Sequence, residues 1–469
     1  MGLLAKLRHL FRAAVRRWPA AVTHDHNSHH WTDPAADSIN DDLVADLATL
    51  RTRAKTELAR NPLFEGIVDT HAAAVCGPAG PTLRVLTDSD TYNQDLEALW
   101  AEWWKAPAWN RNLHGADLLR MCVRNFWTCG EYFFKMEADR AATGIRFRLA
   151  PVRPDRVAGP LGKVGDENHV LGITFDTHGR PRTYYVDETP VPADQMIHGF
   201  RLTEEDQARG FPWAATILDT LADLREYDVQ VLDAAKAAAD HALILVAKHP
   251  DAPYIENNEE IEIRRRRIMH AVPGWEPMQV QAQQPAAQYV EYRRERLAEL
   301  GRPVSMPLML VRLTAESHNY SSARMDKELF HAAVRTIQAG LTHTLLNRCV
   351  EAVRREGTLR MKLRPLPGDT QTVRYAWTWP APPHVDPAKE ATAERMRLEN
   401  GTLAWEDAAA AHGQDPDELF AKLERDTERR KTVVLPKFPQ EPEAEPEADE
   451  DEDDQTPDTE RETDDAGDD

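Results

Sequence analysis

The sequence predicts an α+β fold that is mainly α-helical and is organised around one long helix. Residues 213–248 contain neither proline nor glycine, and Pro212 and Pro250 stand at their two ends as helix-start and helix-stop signals. Several other segments repeat apolar residues at steps of three and four, the period of an amphipathic helix. The segments GEYFFKME and GIRFRLAPVRPDRV alternate as strands do. Helices therefore dominate, with a smaller amount of sheet.

The long helix is predicted over residues 211–248, about 35 residues and roughly 50 Å at 1.5 Å per residue. One of its faces is rich in carboxylates, and the other carries apolar residues, several of which are small alanines. The stripe predicted to pack consists of Ile217, Leu221, Leu224, Val231, Ala235, Ala238 and Ala242. This pattern fits a long helix inside a helical domain, and it also fits a strut that packs against copies of itself around a ring.

The composition is that of a folded, water-exposed protein. The chain has 469 residues, of which 42% are hydrophobic and 29% charged, and this length allows two or three domains. No run of eighteen apolar residues occurs, so no membrane span is predicted. The four cysteines show neither a CxxC pair nor zinc-ligand spacing, which predicts buried, reduced thiols in a cytoplasmic protein. They are Cys76, Cys122, Cys129 and Cys349.

The negative charge is concentrated at the C-terminus. Residues 441–469 contain 17 acidic residues and one base, whereas the net charge of the whole chain is −21. The other 440 residues therefore carry a net charge of only −5. Because so acidic a run repels itself and has little apolar surface to bury, we predict a disordered tail over residues 436–469. Such a tail either solubilises the protein or attracts basic partners.

Residues 1–39 are predicted to form a basic amphipathic segment followed by a linker. The first twenty residues have five bases and no acid, with apolar residues on one helical face, so they suit docking on a partner or an anionic surface. They are too charged for a signal peptide. The histidine-rich stretch HDHNSHHW then fits a polar linker, with a metal site as the alternative.

Residues 40–210 are predicted to be a mixed α/β region. Two helices open it, separated at Asn61, with Pro62 at the start of the second. The next helix contains a cluster of indoles, Trp100, Trp103 and Trp104. Tryptophan at helical spacing favours a buried core position, and the alternative is a surface on which nucleic-acid bases stack.

The chain after the long helix alternates between polar loops and helices. Residues 249–287 are polar, residues 288–300 are predicted to be a helix, and residues 301–320 are predicted to be a loop. Residues 321–435 are predicted to contain a second long helix, a strand and short helices. The polar segment contains four consecutive arginines, Arg264, Arg265, Arg266 and Arg267. They form either a contact for nucleic acid or an acidic partner, or a solvated surface.

Catalytic motifs are absent from the sequence. It contains no GxSxG, no HExxH and no GxxxxGK[ST]. In the glycine-rich run GPLGKVG, Val164 stands where a phosphate-binding loop needs a hydroxyl group for magnesium. The sequence therefore predicts a protein that is not an enzyme and holds no cofactor or metal.

The order of several segments resembles that of phage portal proteins of the lambda family. The arginine-rich helix RTRAKTELAR is followed by an Asn-Pro step, a helix and a glycine-rich turn. WAEWW, GEYFFKME and MIHGFRLTEEDQARGFPW come next, the last similar to the family's His-Phe and Arg-Gly-x-Pro steps. PGWEPMQ, NYSSARMDKELF and the closing segment from VDPAKE complete the series. The resemblance covers residues 40–430 and departs at Glu316-Ser317-His318, where an Asp-containing approach to the Asn-Tyr motif is expected.

The resemblance implies a portal-protein fold that assembles into a ring, usually of twelve subunits, at one capsid vertex. The wing is expected over residues 40–210 with a C-terminal wing or crown in 321–435. The stem is expected to consist of residues 211–248 and 288–300. The clip is expected over residues 249–287, and the tunnel loop over 301–320.

Double-stranded DNA is expected to pass through the ring without sequence specificity. Each phosphate that meets a fixed Lys or Arg adds affinity, so a duplex that must slide should meet few of them, and a body charge near −5 fits this requirement. The DNA-channel candidates are Arg302, Arg312 and Arg324. The alternative is that these bases pair between subunits with Glu299, Glu316 and Glu328.

The expected partners follow from the same resemblance. A terminase large subunit is expected to supply the packaging energy and to dock on the clip near Arg264–Arg267, and the major capsid protein and a head–tail adaptor are expected to bind the ring. The protein is expected in the virion after assembly in the host cytoplasm. Two other functions remain as alternatives: a helical scaffold or adaptor of a phage head, and a metal-dependent DNA-processing enzyme.

Overall fold

The structure is a computed structural model that describes most of the chain up to Thr432. The described residues are 38–110, 113–159, 168–240, 244–247, 275–278, 287–314, 320–360, 362–366, 373–380, 387–412, 414 and 416–432. The predictions for the N-terminal segment, for Arg264–Arg267 and for the acidic tail lie outside these residues. The chain divides into two units, Met1–Pro416 and Asp417–Asp469. The described part of the second unit, residues 417–432, is helical.

Helices dominate the described residues, as predicted. Those before residue 302 are α1 (Ile39–Arg60), α2 (Pro62–Cys76), α3 (Asp90–Trp104), α4 (Gly115–Thr128), α5 (Leu218–Asp240) and α6 (Ala287–Gly301). Those after it are α7 (Leu308–Arg312), α8 (Tyr320–Leu341), α9 (Asn347–Leu359), α10 (Pro387–Glu399), α11 (Trp405–Ala411) and α12 (Pro416–Thr432). The segment predicted as a loop over 301–320 therefore contains the short helix α7.

The junction between α1 and α2 follows the local signals in the sequence. The Ser38 hydroxyl accepts a hydrogen bond from the Asn40 backbone N–H and caps α1. The Asn61 side chain caps α2 by accepting from the Leu63 backbone N–H at 3.1 Å, and Pro62 occupies the first position, where no helical N–H bond is lost. The predicted break at Asn61-Pro62 is confirmed.

Among the described residues, the strands form four small antiparallel sheets. Their strands are β1 (Thr82–Leu86), β2 (Glu131–Ala138), β3 (Phe147–Val152), β4 (His169–Val170), β5 (Ile173–Phe175), β6 (Pro181–Val186), β7 (Thr189–Pro192), β8 (Met196–Phe200), β9 (Ile244–Ala247), β10 (Trp275–Met278) and β11 (Arg374–Thr378). The sheet orders are β1-β11, β9-β10, β3-β2-β8 and β4-β5-β6-β7. Strand β2 lies in the centre of the β3-β2-β8 sheet, and its first four residues are buried while the later ones are not.

The tryptophan cluster of α3 belongs to the core. Trp100, Trp103 and Trp104 are 3%, 3% and 8% exposed, and the Trp103 indole N–H donates to the Phe147 carbonyl at 2.7 Å. Rings buried in this way have no face left for a nucleic-acid base, so the stacking alternative is wrong. All four cysteines are free and buried, as predicted.

The second long helix contains an irregular turn that the sequence does not reveal. Helices α8 and α9 are joined through a π-helical segment, Thr342–Leu346. Such a segment holds an extra residue in one turn and re-aims the side chains that follow. The Thr342 hydroxyl accepts from the Trp379 indole N–H at 3.2 Å, and the Thr344 hydroxyl lies 2.6 Å from the Tyr132 hydroxyl. The turn is therefore held from two sides.

The long helix α5 is shorter than the predicted 211–248. A 3-10 turn, Trp213–Thr216, precedes it, and it spans 23 residues from Leu218 to Asp240. Residues Ile244–Ala247 form β9, which pairs with β10. The helix is therefore roughly 35 Å long instead of 50 Å. The prediction failed at this end because a short apolar run satisfies either a buried helix or a strand, and its partner β10 is distant in sequence.

Candidate functional site

The first half of the predicted stem stripe packs inside the subunit. Ile217, Leu221 and Leu224 are 3%, 1% and 6% exposed and belong to the main core. Val231 and Ala235, further along α5, are half-buried. The side chain of Ala238 and the whole of Ala242 lie outside what the structure describes. The stripe therefore anchors α5 to its own subunit at the start, and packing of its later residues against other copies stays a prediction.

A different face of α5 carries exposed apolar residues. Val229 and Leu232, three residues apart, are 51% and 53% exposed. Residues three apart on a helix are neighbours on its surface, so the two side chains form one patch, which we call the stem face. The sequence analysis missed this patch because its two residues interrupt an otherwise charged surface. On α6, Val290 is also exposed, at 66%.

Helices α5 and α6 are held together by polar and aromatic contacts near the far end of the pair. The Tyr289 hydroxyl donates to the Asp228 carboxylate at 2.6 Å, and Arg293 lies 3.3 Å from the same carboxylate. The Tyr227 ring lies 5.6 Å from the Tyr289 ring and 5.1 Å from the Tyr292 ring, between centroids. The helix predicted over 288–300 is confirmed, and these contacts make it a partner of α5.

A buried carboxylate lies where the mixed α/β region meets the segment leading into α5. Glu131, at the start of β2, is fully buried and accepts hydrogen bonds from four groups. They are the guanidinium groups of Arg51 and Arg209, the His198 ring and the Gly210 backbone N–H. The Arg209 nitrogens approach the carboxylate at 2.6–3.1 Å, and the His198 Nε2 at 3.0 Å. We call Arg51, Glu131, His198 and Arg209 the charged node.

The charged node joins segments that are far apart in sequence. Arg209 donates to the carbonyl oxygens of Pro154, Val157 and Leu171 in addition to Glu131, so its guanidinium is surrounded by acceptors. The backbones of Gly130 and Phe211 lie so close together that a Cβ on Gly130 would be 2.1 Å from the Phe211 backbone. Gly130 also has a positive φ of 84°, which favours glycine. The Arg-Gly-x-Pro step before α5 is therefore fixed to α1, β2 and β8.

The ionisation state of the charged node follows from its contacts. Burial alone would raise the pKa of Glu131, but the charges of Arg209 and Arg51 and the hydrogen bond from His198 hold that pKa well below its ordinary value. Burial lowers the pKa of His198, and the Glu131 carboxylate only partly opposes this effect. Because an ionised carboxylate only accepts, the neutral His198 ring donates through Nε2.

The three DNA-channel candidates all have exposed side chains. Arg302 lies in a 3-10 turn after α6, and Arg312 ends the short helix α7. Arg324, in the first turns of α8, pairs with Glu328 of the same subunit at 2.9 Å. Within one subunit Arg324 therefore already has an acidic partner, and its pairing with Glu328 of another subunit stays a prediction.

The other two expected acidic partners are placed differently. Glu299 pairs with Arg296 of the same helix at 2.8 Å, and Glu316 lies outside the described residues. The loop that contains Arg302 and Arg312 has two non-glycine residues with left-handed backbone, Ser305 and Leu313, with φ of 55° and 51°. A bulky residue rarely adopts this conformation, so the loop is held in a defined shape by its surroundings.

A buried histidine packs against the turn that leads into α5. His71 of α2 is fully buried among the rings of Trp127, Trp213 and Phe330, and its Nδ1 accepts from the Trp127 indole N–H at 3.0 Å. Trp213 lies in the 3-10 turn before α5. Burial lowers the pKa of His71 from 6.5 to about 3, so the ring is neutral in the folded protein.

This histidine gives a prediction about acid stability. Below pH 6.5 the unfolded chain protonates His71 while the folded chain does not, so the stabilisation present above pH 6.5 is lost as the pH falls toward 3. Between pH 6 and pH 4 we expect the free energy of unfolding of the wild type to fall, relative to His71→Phe, by about 1.4 kcal/mol per pH unit. Urea unfolding at several pH values measures this slope. His178→Gln, in an exposed turn, should keep the wild-type slope, and parallel curves for wild type and His71→Phe would contradict the prediction.

Among the described residues, no group of three or more His, Cys, Asp or Glu side chains is placed to hold a metal ion. In that same part of the chain, no helix is long and apolar enough to cross a membrane. The structure thus offers a pair of helices, α5 and α6, a segment with exposed arginines, and a charged node that fixes the start of α5 to the mixed α/β region.

The family is shown by the sequence. The sequence model of the family described as phage portal protein, lambda family, matches residues 24–338, about two thirds of the chain. The chain therefore belongs to the lambda family of phage portal proteins. It is a structural component of a phage particle, and the function of its family is the passage of DNA during packaging and ejection.

Solved structures that resemble the chain include chains of gene transfer agent (GTA) particles and a phage portal protein. A chain in the neck of an empty GTA particle, computed with C6 symmetry, is 16% identical and is matched over 79% of this chain and 94% of its own length, with a TM-score of 0.47. A chain of the virion of a native gene transfer agent particle is 15% identical over the same shares, with a TM-score of 0.46. An HK97-family phage portal protein from Corynebacterium diphtheriae is 12% identical and is matched over 60% of this chain and 85% of its own length, with a TM-score of 0.29.

Proposed function

We propose that this protein assembles into a closed ring, of about twelve subunits, and that double-stranded DNA passes through its centre. The observation that carries the proposal is the stem: two helices tied to each other at Asp228 and to the body at the charged node, with the stem face left exposed. Two large exposed apolar residues on one helix face are typical of a surface that another chain covers. In a ring, each stem face would pack against the next subunit.

The proposal assigns each part of the chain to a region of a portal subunit. Residues 40–210 would form the wing, with a C-terminal wing or crown part in 321–435. The stem would consist of the segments 211–248 and 288–300, and the clip of residues 249–287. The tunnel loop, 301–320, would carry Arg302 and Arg312 to the channel, with Arg324 at its border. Sparse cations on a body of low net charge favour a duplex that slides without being held.

Partners of the ring follow from its place in the particle. A terminase large subunit would dock on the clip, with Arg264, Arg265, Arg266 and Arg267 as contact candidates, and it would supply the energy for packaging. The major capsid protein would surround the wing, and a head–tail adaptor would bind after packaging. Assembly would take place in the host cytoplasm. The protein itself would carry no catalytic activity, so its role in DNA passage would be mechanical.

Negative-stain electron microscopy of the purified protein, with mass determination, tests the proposal. We expect closed rings of about twelve subunits with a central hole wide enough for a DNA duplex, roughly 20 Å. A discrete monomer or dimer at high concentration, with the capsid protein present, would contradict the ring. Nuclease activity of that monomer with Mg²⁺ would instead support the enzyme alternative, and an open helical assembly without a channel would support the scaffold alternative.

A further inference from the structure

A groove of about 1030 Å³ lies between α2, the helix formed by α8 and its π-helical segment, and β11. We call it the basic groove, because four basic side chains line it: Lys327, His331, Arg335 and His343. Its floor and walls include four aromatic side chains: Phe330, Tyr375, Trp377 and Trp379. None of the described residues that line it is acidic. A volume of this size is large enough for the side chains of a docked protein segment.

The cations of the basic groove lack a compensating charge. Among the described residues, no carboxylate lies within ion-pair distance of Lys327 or Arg335. Burial lowers the pKa of His331, and the charges of Lys327 and Arg335 lower it further, with no carboxylate opposing them. Placing like charges side by side is unfavourable unless an anion joins them. The groove therefore favours an anionic occupant.

The aromatic side chains add an apolar component to the groove. The indole N–H of Trp377 donates to the Asn347 side chain at 2.9 Å, and that of Trp379 donates to Thr342 in the π-helical segment. With their polar atoms already bonded, these rings present apolar surface to the groove. An occupant that is only charged would leave that surface uncovered. The chemistry that fits is an acidic segment with an exposed apolar side chain.

The first turns of α1 have this chemistry. Asp41, Asp42 and Asp46 are exposed, and none of the three forms an ion pair with another described residue. Val44, between them, is 65% exposed. Carboxylates in the first turn also stabilise the helix dipole, which accounts for Asp41 and Asp42. The helix dipole accounts neither for Asp46, which lies in the second turn, nor for the exposed side chain of Val44.

We propose that the first turns of α1 of one subunit dock in the basic groove of its neighbour in the ring. The inference rests on the proposed function, because it needs neighbouring copies arranged head to tail. In a ring, the contact between neighbours joins two different surfaces of the same chain. Asp42 and Asp46 lie on one side of α1 and Val44 on the opposite side, so the first turns of α1 can face the basic side chains of α8 and the aromatic side chains of β11 at the same time. Val44 lies against the aromatic rings, and the carboxylates of α1 lie against Lys327 and Arg335.

Charge reversal with rescue tests the contact. We expect Lys327→Glu with Arg335→Glu to lower the fraction of ring at a fixed subunit concentration at least tenfold, measured by native mass spectrometry. Asp42→Lys with Asp46→Lys should do the same, and the chain that combines all four changes should recover most of the ring. The control, Arg140→Glu with Arg182→Glu, makes the same change of charge on exposed side chains outside the groove and should leave the ring intact.

A disulfide cross-link tests the position of the contact independently of charge. The chain that carries Val44→Cys and Ala339→Cys, both at exposed positions and the second in the groove, should form inter-subunit disulfides on oxidation. Each single substitution serves as the control, and the background is low because the four native cysteines are buried. Cross-linked ladders on a non-reducing gel would support the contact.

The outcomes separate this inference from the proposed function. Rings that survive both reversals, with no cross-link, overturn the docking contact and leave the proposed function standing. Rings that are lost in both reversals but not recovered in the combined chain, again with no cross-link, mean that the groove takes another acidic segment, and this also overturns the inference. If the unmodified chain forms no ring at all, the proposed function fails, and the docking contact fails with it.

Discussion

Replacing Glu131 with glutamine should be among the most damaging single substitutions in this protein. The change keeps the size of the side chain but removes the charge that Arg209 and Arg51 share, and both guanidinium groups remain buried. Breaking a buried ion pair by removing one partner typically costs about 3–5 kcal/mol, because the remaining charge is left uncompensated. We expect a loss of this size in the free energy of unfolding, measured by urea titration of the isolated subunit.

A matched control shows that burial causes the loss. Glu328→Gln makes the same substitution at a carboxylate that also pairs with an arginine, Arg324, but its side chain is 66% exposed. An exposed pair four residues apart on a helix contributes about 0.3–0.5 kcal/mol. A loss for Glu131→Gln as small as that of Glu328→Gln would show that the charged node does not stabilise the fold.

The same substitution should also loosen the segment that leads into α5. Arg209 and Gly210 precede α5, and both contact the Glu131 carboxylate. Without that anion, the segment leading into α5 loses its attachment to α1 and β2, and hydrogen exchange of the backbone near residues 208–217 should become faster. Unchanged protection there, with a destabilised fold, would confine the role of Glu131 to overall stability.

The second large effect is expected at the stem face. Val229→Asp with Leu232→Asp should convert rings to monomers without unfolding the subunit, because both side chains are about half exposed in the subunit. Burial of a valine or leucine stabilises an interface by about 1.5–3 kcal/mol, and an unpaired buried carboxylate adds a further penalty. Each contact between neighbouring subunits should therefore weaken more than 100-fold, which mass photometry at several concentrations detects.

The control for the stem face is a charge placed elsewhere on the same helix. Gln230 is exposed and points away from Val229 and Leu232, since consecutive helical residues are separated by about 100°. Gln230→Asp should leave the rings intact, and the circular-dichroism spectrum of the double variant should match the wild type. Rings that persist in Val229→Asp with Leu232→Asp would show that neighbouring subunits meet through another surface.

Local signals in the sequence predicted much of the helical framework. The break at Asn61-Pro62, the helix over 288–300 and the buried tryptophan cluster of α3 depend on caps, proline geometry and apolar spacing within a few residues. The order of motifs predicted the family, which the match over residues 24–338 shows. Three of these motifs together contain Arg51, Glu131, His198 and Arg209, but nothing in their spacing shows that the four side chains meet.

The structure corrected the predictions made from the sequence wherever the local structure or burial of a segment depends on residues far away in the chain. The end of α5 at Asp240 depends on a strand pairing between Ile244–Ala247 and Trp275–Met278. The exposed or buried state of an apolar helix face depends on which other element packs against it. Ile217, Leu221 and Leu224 therefore proved to be core residues, while Val229 and Leu232 remained exposed.

The sequence by itself determined the helical class, the family and the concentration of negative charge after residue 440, because composition, caps and motif order are properties of the chain alone. Only the tertiary structure decided that one buried carboxylate joins two arginines and a histidine, that a π-helical segment interrupts the second long helix, and that the basic groove lies beside it. Each of these depends on side chains tens or hundreds of residues apart, whose meeting is set by the packing of the whole fold.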